Sequence, residues 1–452
     1  MKMALGEVRS ALCLKGDETT DNIEISGISK NTQTIKGGEL FVPLRGARFD
    51  GHDFIPKAIE AGAFAVLCDR SDINCSLPVI RVHDTLEAAQ RLAEYHLSKL
   101  SLRKIGVTGS AGKTTTCRMI HSVLSQEMRT FKTEDDMNGQ IGLTFSAFDI
   151  NDSYEAAVLE MGMSEYGELS RLSKIGKPDI AVINMVGSAH IEFFGTRENI
   201  RKAKLEILDG MDENGTVILN ADDELLWALK ESIPLRTIYY GIENPQADVK
   251  GEYLGEIDGT QRLSCGSHVY SVPAKGIHYV QNALAAIAVA RELKISKEKI
   301  NEGLKSFLPA NGRQKIYDLL GFTILEDCYN ASPEAVCASL GVLSEYRNGR
   351  RIALLGDMLE LGDYTAEGHE KCGRRAAGCA DMLLVYGSNR EHYINGALSG
   401  GMEENSVKGF DTREEMGEYL ISHAKKGDAL LFKGSMMTKM GEVLRIFSES
   451  IK

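Results

Sequence analysis

The chain has no apolar run long enough to cross a bilayer, so no membrane span is expected. Its first residues, MKMALGEVRSALC, lack the sustained apolar core of a secretion signal, which points to a cytoplasmic protein. CxxC pairs are absent, and the nine cysteines, an odd number, lie scattered. That argues against a disulfide frame or a zinc site and leaves reduced thiols. Positive charge is short as well. At a formal net charge of -12, non-specific nucleic-acid binding, which rests on basic patches, is not expected. A local site on an acidic protein can still be positive enough for an anionic ligand. There is no internal repeat and no low-complexity linker. Without a secretion signal, NDS at Asn151 and NGT at Asn214 match the glycosylation pattern by chance.

What is present is ordinary for a soluble globular chain: 43% hydrophobic and 26% charged residues. A length of 452 residues allows two to four domains. Strand-like and helix-like stretches alternate throughout, which predicts α/β layers. We divide the chain into three domains: 1–100, 101–310 and 311–452. The first holds short strands such as Glu39–Val42 and Ala65–Leu67 and a helix over Thr85–Leu100. The second opens at Lys104 with a strand, a glycine loop and a helix, and closes after a helical run over Asn282–Leu293. The third has predicted strands at Thr323–Leu325, Arg351–Leu355, Met382–Tyr386 and Ala429–Phe432. The expected fold is α/β, with a central P-loop-type, mostly parallel sheet and a Rossmann-like C-terminal domain.

The strongest local signal is KIGVTGSAGKTT, Lys104–Thr115. A β-rich run enters Gly109-Ser110-Ala111-Gly112-Lys113-Thr114-Thr115, and a helical pattern follows. Glycines let backbone N–H groups face a phosphate, and a helix N-terminus adds partial positive charge. Lys113 supplies a point charge for outer phosphates, and the Thr114 hydroxyl can ligate Mg²⁺. The full Walker pattern has glycine where this chain has Val107, so the loop is a shortened variant. A plain glycine turn between strand and helix is the bland alternative.

Two further strands end on polar groups. Ala156–Leu159 runs into Glu160, and Asp179–Val186 leads to a loop with His190. Ligands of open α/β sheets bind outside the carboxyl ends of the strands. Glu160, His190 and the glycine loop would therefore converge, and a carboxylate and an imidazole beside a phosphate suit a divalent metal. Taken singly, each is more often a solvated or hydrogen-bonded residue. In the predicted helix Glu198–Leu208, Ile200, Lys204, Ile207 and Leu208 share one face, while Lys202 points away. A desolvated lysine loses affinity for its proton, and a neutral amine can add CO₂ to become a carbamate. From the residues alone, a snorkelling lysine whose stem covers the core is the simpler reading.

These residues resemble the Mur ligase family, whose central domain carries a TGxxGKT loop, a metal-binding Glu, a loop His and a carbamylated Lys. The matching positions are Thr108–Thr114, Glu160, His190 and Lys204. The likeness continues in GIHYVQNALAA, where His278 and Asn282 match an adenine-side HNxxN pattern and Tyr279 departs from its first Asn. Gly312-Arg313 matches the arginine that reaches the nucleotide. EDCYNASP, Glu326–Pro333, matches DxYNAxP, which implies that Asp327 holds the ribose with Tyr329 and Asn330 near ATP. Cys328 lies inside this motif, but no implied step needs a nucleophile.

EDCYNASPEA, LLGDMLELGDYTAEGH and the N-terminal NTQTIKGGELFVPLRGARFDGHDFIPKAIEAGA place the chain near the branch that adds a dipeptide. The resemblance implies ATP-dependent joining of D-Ala-D-Ala to a UDP-linked muramoyl tripeptide in peptidoglycan precursor synthesis. The N-terminal domain would bind the UDP-sugar; the C-terminal domain would bind nucleotide and incoming amine. Lys113 would neutralise the β/γ-phosphates. Thr114 and Glu160 would hold one Mg²⁺, and His190 with carbamylated Lys204 a second. Asn31, Thr32, Gln33 and Asn138 are assigned to substrate, and a monomer is expected.

The family's DSR uridine motif reads Asn31-Thr32-Gln33 here, GRxE reads Gly312-Arg313-Gln314-Lys315, and KGSR reads Lys433-Gly434-Ser435-Met436. The alternatives are a divergent ligase of this type with another amino acid, dipeptide or depsipeptide, another amide ligase on the same scaffold, and a P-loop regulatory module.

Overall fold

The structure is a computed structural model that describes residues 1–46, 48–310 and 312–451. Asn311 and Lys452, the two ends of the expected third domain, lie outside the described residues, as does Ala47 in the N-terminal motif stretch. The chain groups into two compact units, one of 1–107, 127–181 and 205–216, the other of 108–126, 182–204 and 217–452.

The first unit contains a four-stranded parallel sheet, in the order Ile28–Ser29, Leu40–Phe41, Ala65–Cys68, Val79–Arg81. Leu40, Phe41 and all four residues of Ala65–Cys68 are buried. The continuous apolar run reads as a strand covered on both faces. Helix Thr85–Ser98 starts on an Asp84 side chain that accepts from the Glu87 N–H, an N-cap of the usual kind. Parallel strands Arg103–Thr108, Ala156–Glu160 and Thr130–Lys132 lie side by side in that order.

The second unit carries the phosphate loop and, at its C-terminal end, a six-stranded sheet. The strand order is Lys315–Leu319, Phe322–Asp327, Ala429–Lys433, Arg351–Gly356, Met382–Tyr386, Val407–Phe410. Only the first pair is antiparallel. Helices such as Pro333–Leu343, Thr365–Ala377 and Arg413–His423 separate the strands in sequence, Met440–Ser450 follows the last of them, and Phe322, Ile324, Leu354, Leu430, Phe432 and Phe447 are among the residues of one core cluster. The order reverses between Phe322–Asp327 and Arg351–Gly356, which puts a ligand crevice at the carboxyl ends, near Asp327, Lys433 and Asp357.

One part of this unit departs from the parallel expectation. Val249–Ile257, Thr260–Cys265 and His268–Val272 form an antiparallel meander. Asp258-Gly259, with φ of 49° and 76°, makes its first two-residue turn. Asp-Gly between alternating strands is a hairpin signal legible in the sequence.

Candidate active site

The glycine loop forms as the sequence predicts, and helix Lys113–Leu124 follows it directly. Gly112 caps the helix at φ +80°, and a Cβ there would stand 2.7 Å from Oδ1 of Asn282. Backbone freedom and close approach both require glycine at 112. The Ser110 N–H donates to the Met185 carbonyl at 3.0 Å, and its hydroxyl lies 3.4 Å from the Gly187 carbonyl. Lys113 Nζ donates to the Gly109 carbonyl at 2.9 Å, curling back over the loop. Ala111 bridges the two glycines, while Thr114 and Thr115 sit in the first helical turn.

Buried polar atoms stand unpaired around this loop. The hydroxyls of Thr108 and Thr114 and Oδ1 of Asn184 are buried and have no hydrogen-bond partner among the described residues. Buried polar groups are normally paired, so orphans gathered at one loop mark a place completed by a ligand. Asn184 was not singled out from the sequence. Its amide donates to the Thr116 hydroxyl at 2.9 Å, and its backbone N–H donates to the Thr108 carbonyl at 3.0 Å. It follows the apolar strand Ile180–Ile183, the same strand-end signal that marked Glu160.

The strand entering the His190 loop is shorter than expected, ending at Ile183 rather than Val186. The Val186 N–H is taken by Asp223 at 2.7 Å, and its carbonyl by the Arg197 guanidinium at 2.6 and 3.0 Å. These contacts turn the chain out of the sheet toward His190, which adopts φ +64°. His190 Nδ1 stands 2.5 Å from Oε2 of Glu360, at ion-pair distance but out of line for a finished hydrogen bond. Burial lowers the imidazole pKa. Glu360 opposes this, while Lys113 and Lys204 add to it, and the net shift is downward.

Lys204 is buried and Lys202 exposed, as the helical period requires. Ile200 and Ile207 are buried with it and Leu208 is half-buried. The α-helix is shorter than predicted, spanning Arg197–Leu205, and continues as a 3₁₀ turn. Burial first, and the Lys113 charge second, hold the Lys204 amine well below the usual lysine range. A snorkelling head would sit in water; this one is desolvated. The buried amine, the imidazole and Lys113 are close enough to act on one another electrostatically.

Glu160 is in the first unit, buried at the end of Ala156–Glu160. Its backbone N–H donates to the Thr133 hydroxyl at 2.9 Å, and Asn138 Nδ2 donates to its Oε1 at 2.8 Å. Asn31 Oδ1 accepts from the Gln33 N–H at 3.0 Å, and Thr32 lies between them in an exposed Asx turn after strand Ile28–Ser29.

In the last domain, Arg313 lies over the Tyr329 ring, 4.4 Å from its centroid. Asp327 is engaged from three sides: Lys433 Nζ at 2.5 Å, the Ser339 hydroxyl at 2.7 Å and the Gln314 N–H at 3.2 Å. Burial would raise the Asp327 pKa, but the Lys433 charge and these hydrogen bonds outweigh it and lower it. Lys433 also donates to the Asn330 carbonyl at 3.0 Å. Burial pushes the Cys328 thiol up to about 12, which makes it a poor nucleophile. Sequence reading missed Glu334 and Glu360, whose partners lie in the His190 loop. Ser188 Oγ is 3.1 Å from each carboxylate oxygen of Glu334. Both are ordinary-looking glutamates, and no local pattern announces a partner so distant in sequence.

The arrangement is that of a phosphate-loop α/β enzyme: a glycine loop at a helix N-terminus, unpaired buried hydroxyls, and a desolvated amine whose charge acts on a loop imidazole. Three family models match the chain: the Mur ligase middle domain over 107–290, the Mur ligase glutamate ligase domain over 312–436, and the Mur ligase family catalytic domain over 24–96. A Bacillus subtilis protein named UDP-N-acetylmuramoyl-tripeptide--D-alanyl-D-alanine ligase is 37% identical over 94% of each chain. MurF from Acinetobacter baumannii superimposes with a TM-score of 0.90 at 28% identity, covering 99% of both chains. MurF from Thermotoga maritima, solved with ADP, gives a TM-score of 0.83 at 30% identity, covering 94% of this chain and 97% of that one. The chain belongs to the Mur ligase family. It has the family's three-domain α/β architecture and is most like the MurF branch of ATP-dependent ligases.

Proposed function

We propose that this ligase joins D-Ala-D-Ala to UDP-N-acetylmuramoyl-tripeptide, working as a monomer in the cytoplasm, with domains at 1–100, 101–310 and 311–452. The observation that carries the site assignment is the buried Lys204 amine, whose affinity for its proton is depressed by burial and by Lys113 of the phosphate loop. Two curated relatives, from Bacillus subtilis and Escherichia coli, bear the name of this reaction at 37% and 31% identity, which supports the substrate choice. No helix among the described residues is long and apolar enough to cross a membrane.

In the proposed reaction a carboxylate oxygen of the tripeptide attacks the γ-phosphorus of ATP. The bond from that phosphorus to the β,γ-bridging oxygen breaks, and ADP leaves. The dipeptide amine then attacks the acyl carbon, loses a proton, and expels inorganic phosphate. Two anions must meet in the first step, so charge neutralisation is the main demand on the enzyme. Lys113 meets it at the β- and γ-phosphates, with the backbone of Gly109, Ser110, Ala111 and Gly112 and the helix start at Thr114 and Thr115 cradling the chain of phosphates. Asn282, expected on the adenine side from its motif, stands instead against Gly112 of the phosphate loop. Arg313, stacked on Tyr329, and the Asp327–Asn330 segment face the nucleoside.

The residues present fit a magnesium-nucleotide. The unpaired Thr114 hydroxyl is a ready oxygen donor. Burial lowers the proton affinity of His190, and lowers that of Lys204 far enough to favour uptake of CO₂ as carbamate oxygens. Thr114, His190 and Lys204 would hold the ions. Glu160 joins them on its motif position, and two ions is the number the family resemblance implies. Bound magnesium supplies phosphate charge neutralisation. Asn31, Thr32, Gln33 and Asn138 are assigned to the UDP-linked substrate.

Product mass spectrometry tests this reading, using ATP, Mg²⁺, D-Ala-D-Ala and UDP-muramoyl-tripeptides that differ at the third residue. The expected result is one product heavier by the dipeptide less water, with one ADP per product. Turnover with a different amine in place of the dipeptide would assign a divergent ligase, and ATP turnover that no UDP-linked peptide stimulates would assign a regulatory module.

A further inference from the structure

Two carboxylates from the last domain reach the loop that carries His190. Glu334 sits in the first turn of helix Pro333–Leu343 and meets the Ser188 hydroxyl. A Cβ on Gly187 would fall 2.8 Å from its Oε2, so the two surfaces approach as closely as bare backbone allows. Glu360 meets the His190 ring itself, and its own carbonyl accepts from the Glu192 N–H at 3.1 Å.

Glu360 is held in an unusual conformation to do so. Its φ is +61°, in the left-handed region that L side chains rarely adopt. The flanking residues pin it there. The Met358 N–H donates to His369 Nε2 at 3.1 Å, the Leu359 N–H donates to the Ser435 hydroxyl at 3.0 Å, and Leu361 is buried. Backbone held in a disfavoured region persists only where its surroundings over-determine it, and such residues gather at functional sites.

We infer that Glu360 is a positioning residue for His190: its carboxylate accepts a hydrogen bond from Nδ1–H, fixes the ring's tautomer and leaves the Nε2 lone pair free to bind a metal. Carboxylate–histidine pairs of this kind orient metal-binding imidazoles. Because Glu360 belongs to the last domain and His190 to the central one, docking of the last domain completes the ligand. The inference rests on the reading of His190 as a metal ligand.

The test combines two readouts. The first is the ¹⁵N spectrum of histidine-labelled, metal-free protein, with His190 assigned through His190→Gln. The wild type and Glu360→Gln, whose amide oxygen still accepts, should show the Nδ1–H tautomer; Glu360→Ala should lose it. Glu334→Ala, which does not touch the ring, should keep it. The second readout is the Mg²⁺ concentration that half-saturates ADP release with both substrates present. It should rise roughly 10–100-fold in Glu360→Ala and far less in Glu360→Gln. Wild-type tautomer or wild-type Mg²⁺ dependence in Glu360→Ala overturns the inference. If His190→Ala and Lys204→Ala also keep wild-type ADP release, the ligase site itself is wrongly assigned. If those two collapse and Glu360→Ala does not, only the role of Glu360 fails.

Discussion

Two clusters at strand ends carry the nucleotide motifs, and they differ in how completely their polar groups are paired. Around Lys113 and Asn184, buried hydroxyl and amide oxygens have no partner among the described residues. Around Asp327, the carboxylate, Lys433, Ser339 and Gln314 satisfy one another. The first cluster sacrifices stability to be ready for a ligand; the second is already complete and serves as a scaffold. On the proposed reading, Asp327 would serve the nucleotide chiefly by fixing the segment from Tyr329 to Asn330 and, through Gln314, the neighbourhood of Arg313. A motif residue can mark a site without having a free valence for the ligand.

Substitutions that separate the two clusters should behave in opposite ways. The largest effect is expected at the phosphate loop. Lys113→Ala should lower ADP release about 10³-fold, the scale of losing a preorganised charge in a water-poor site, with little change in melting temperature. Lys204→Met should also abolish turnover, yet it should raise the melting temperature. The burial cost of an amine held well below its usual range disappears, a gain of about 1–2 kcal/mol. Lys204→Ala should regain some activity with short carboxylates, which stand in for carbamate oxygens. A loss of stability in the Lys113 or Lys204 variants as large as that from removing Lys433 in the second cluster would erase the contrast.

In the scaffold cluster, Lys433→Met leaves Asp327 buried without its partner. It should destabilise the protein by about 3–5 kcal/mol, read by thermal unfolding. The pH dependence has a definite sign. The folded pKa of Asp327 lies below its unfolded value. Its stabilising contribution is therefore complete above the unfolded value of about 3.9, and is lost as pH falls through the folded one. Lys433→Met should remove that part of the acid lability. The smallest stability change is expected for Thr114→Val. Removing an unpaired hydroxyl should shift stability by no more than about 0.5 kcal/mol, while Mg²⁺-dependent activity falls roughly 10-fold or more.

Much of this was legible in the sequence, because local chemistry carries it. The glycine loop needs its own residues and little else, and the period of the helix around Lys204 separates the buried Lys204 from the exposed Lys202. Long-range contacts decide what was missed. The helix stops at Leu205 because Glu206 turns to accept from the Gly167 and Ser170 N–H groups, tightening the chain into a 3₁₀ turn. The strand into the His190 loop stops at Ile183 because Asp223 and Arg197 hold Val186. Glu334 and Glu360 gain meaning only when the last domain brings them to Ser188 and His190. The antiparallel meander is a different case, since its Asp258-Gly259 turn is a local signal that the sequence itself carries.

The account stands most directly on transfer of the tripeptide's own carboxylate oxygen to phosphate. The measurement is mass analysis of the inorganic phosphate released when the terminal carboxylate is labelled with ¹⁸O. Activation through an acyl phosphate predicts one labelled oxygen in each phosphate, in step with ADP and joined product. Product formed with unlabelled phosphate would contradict it.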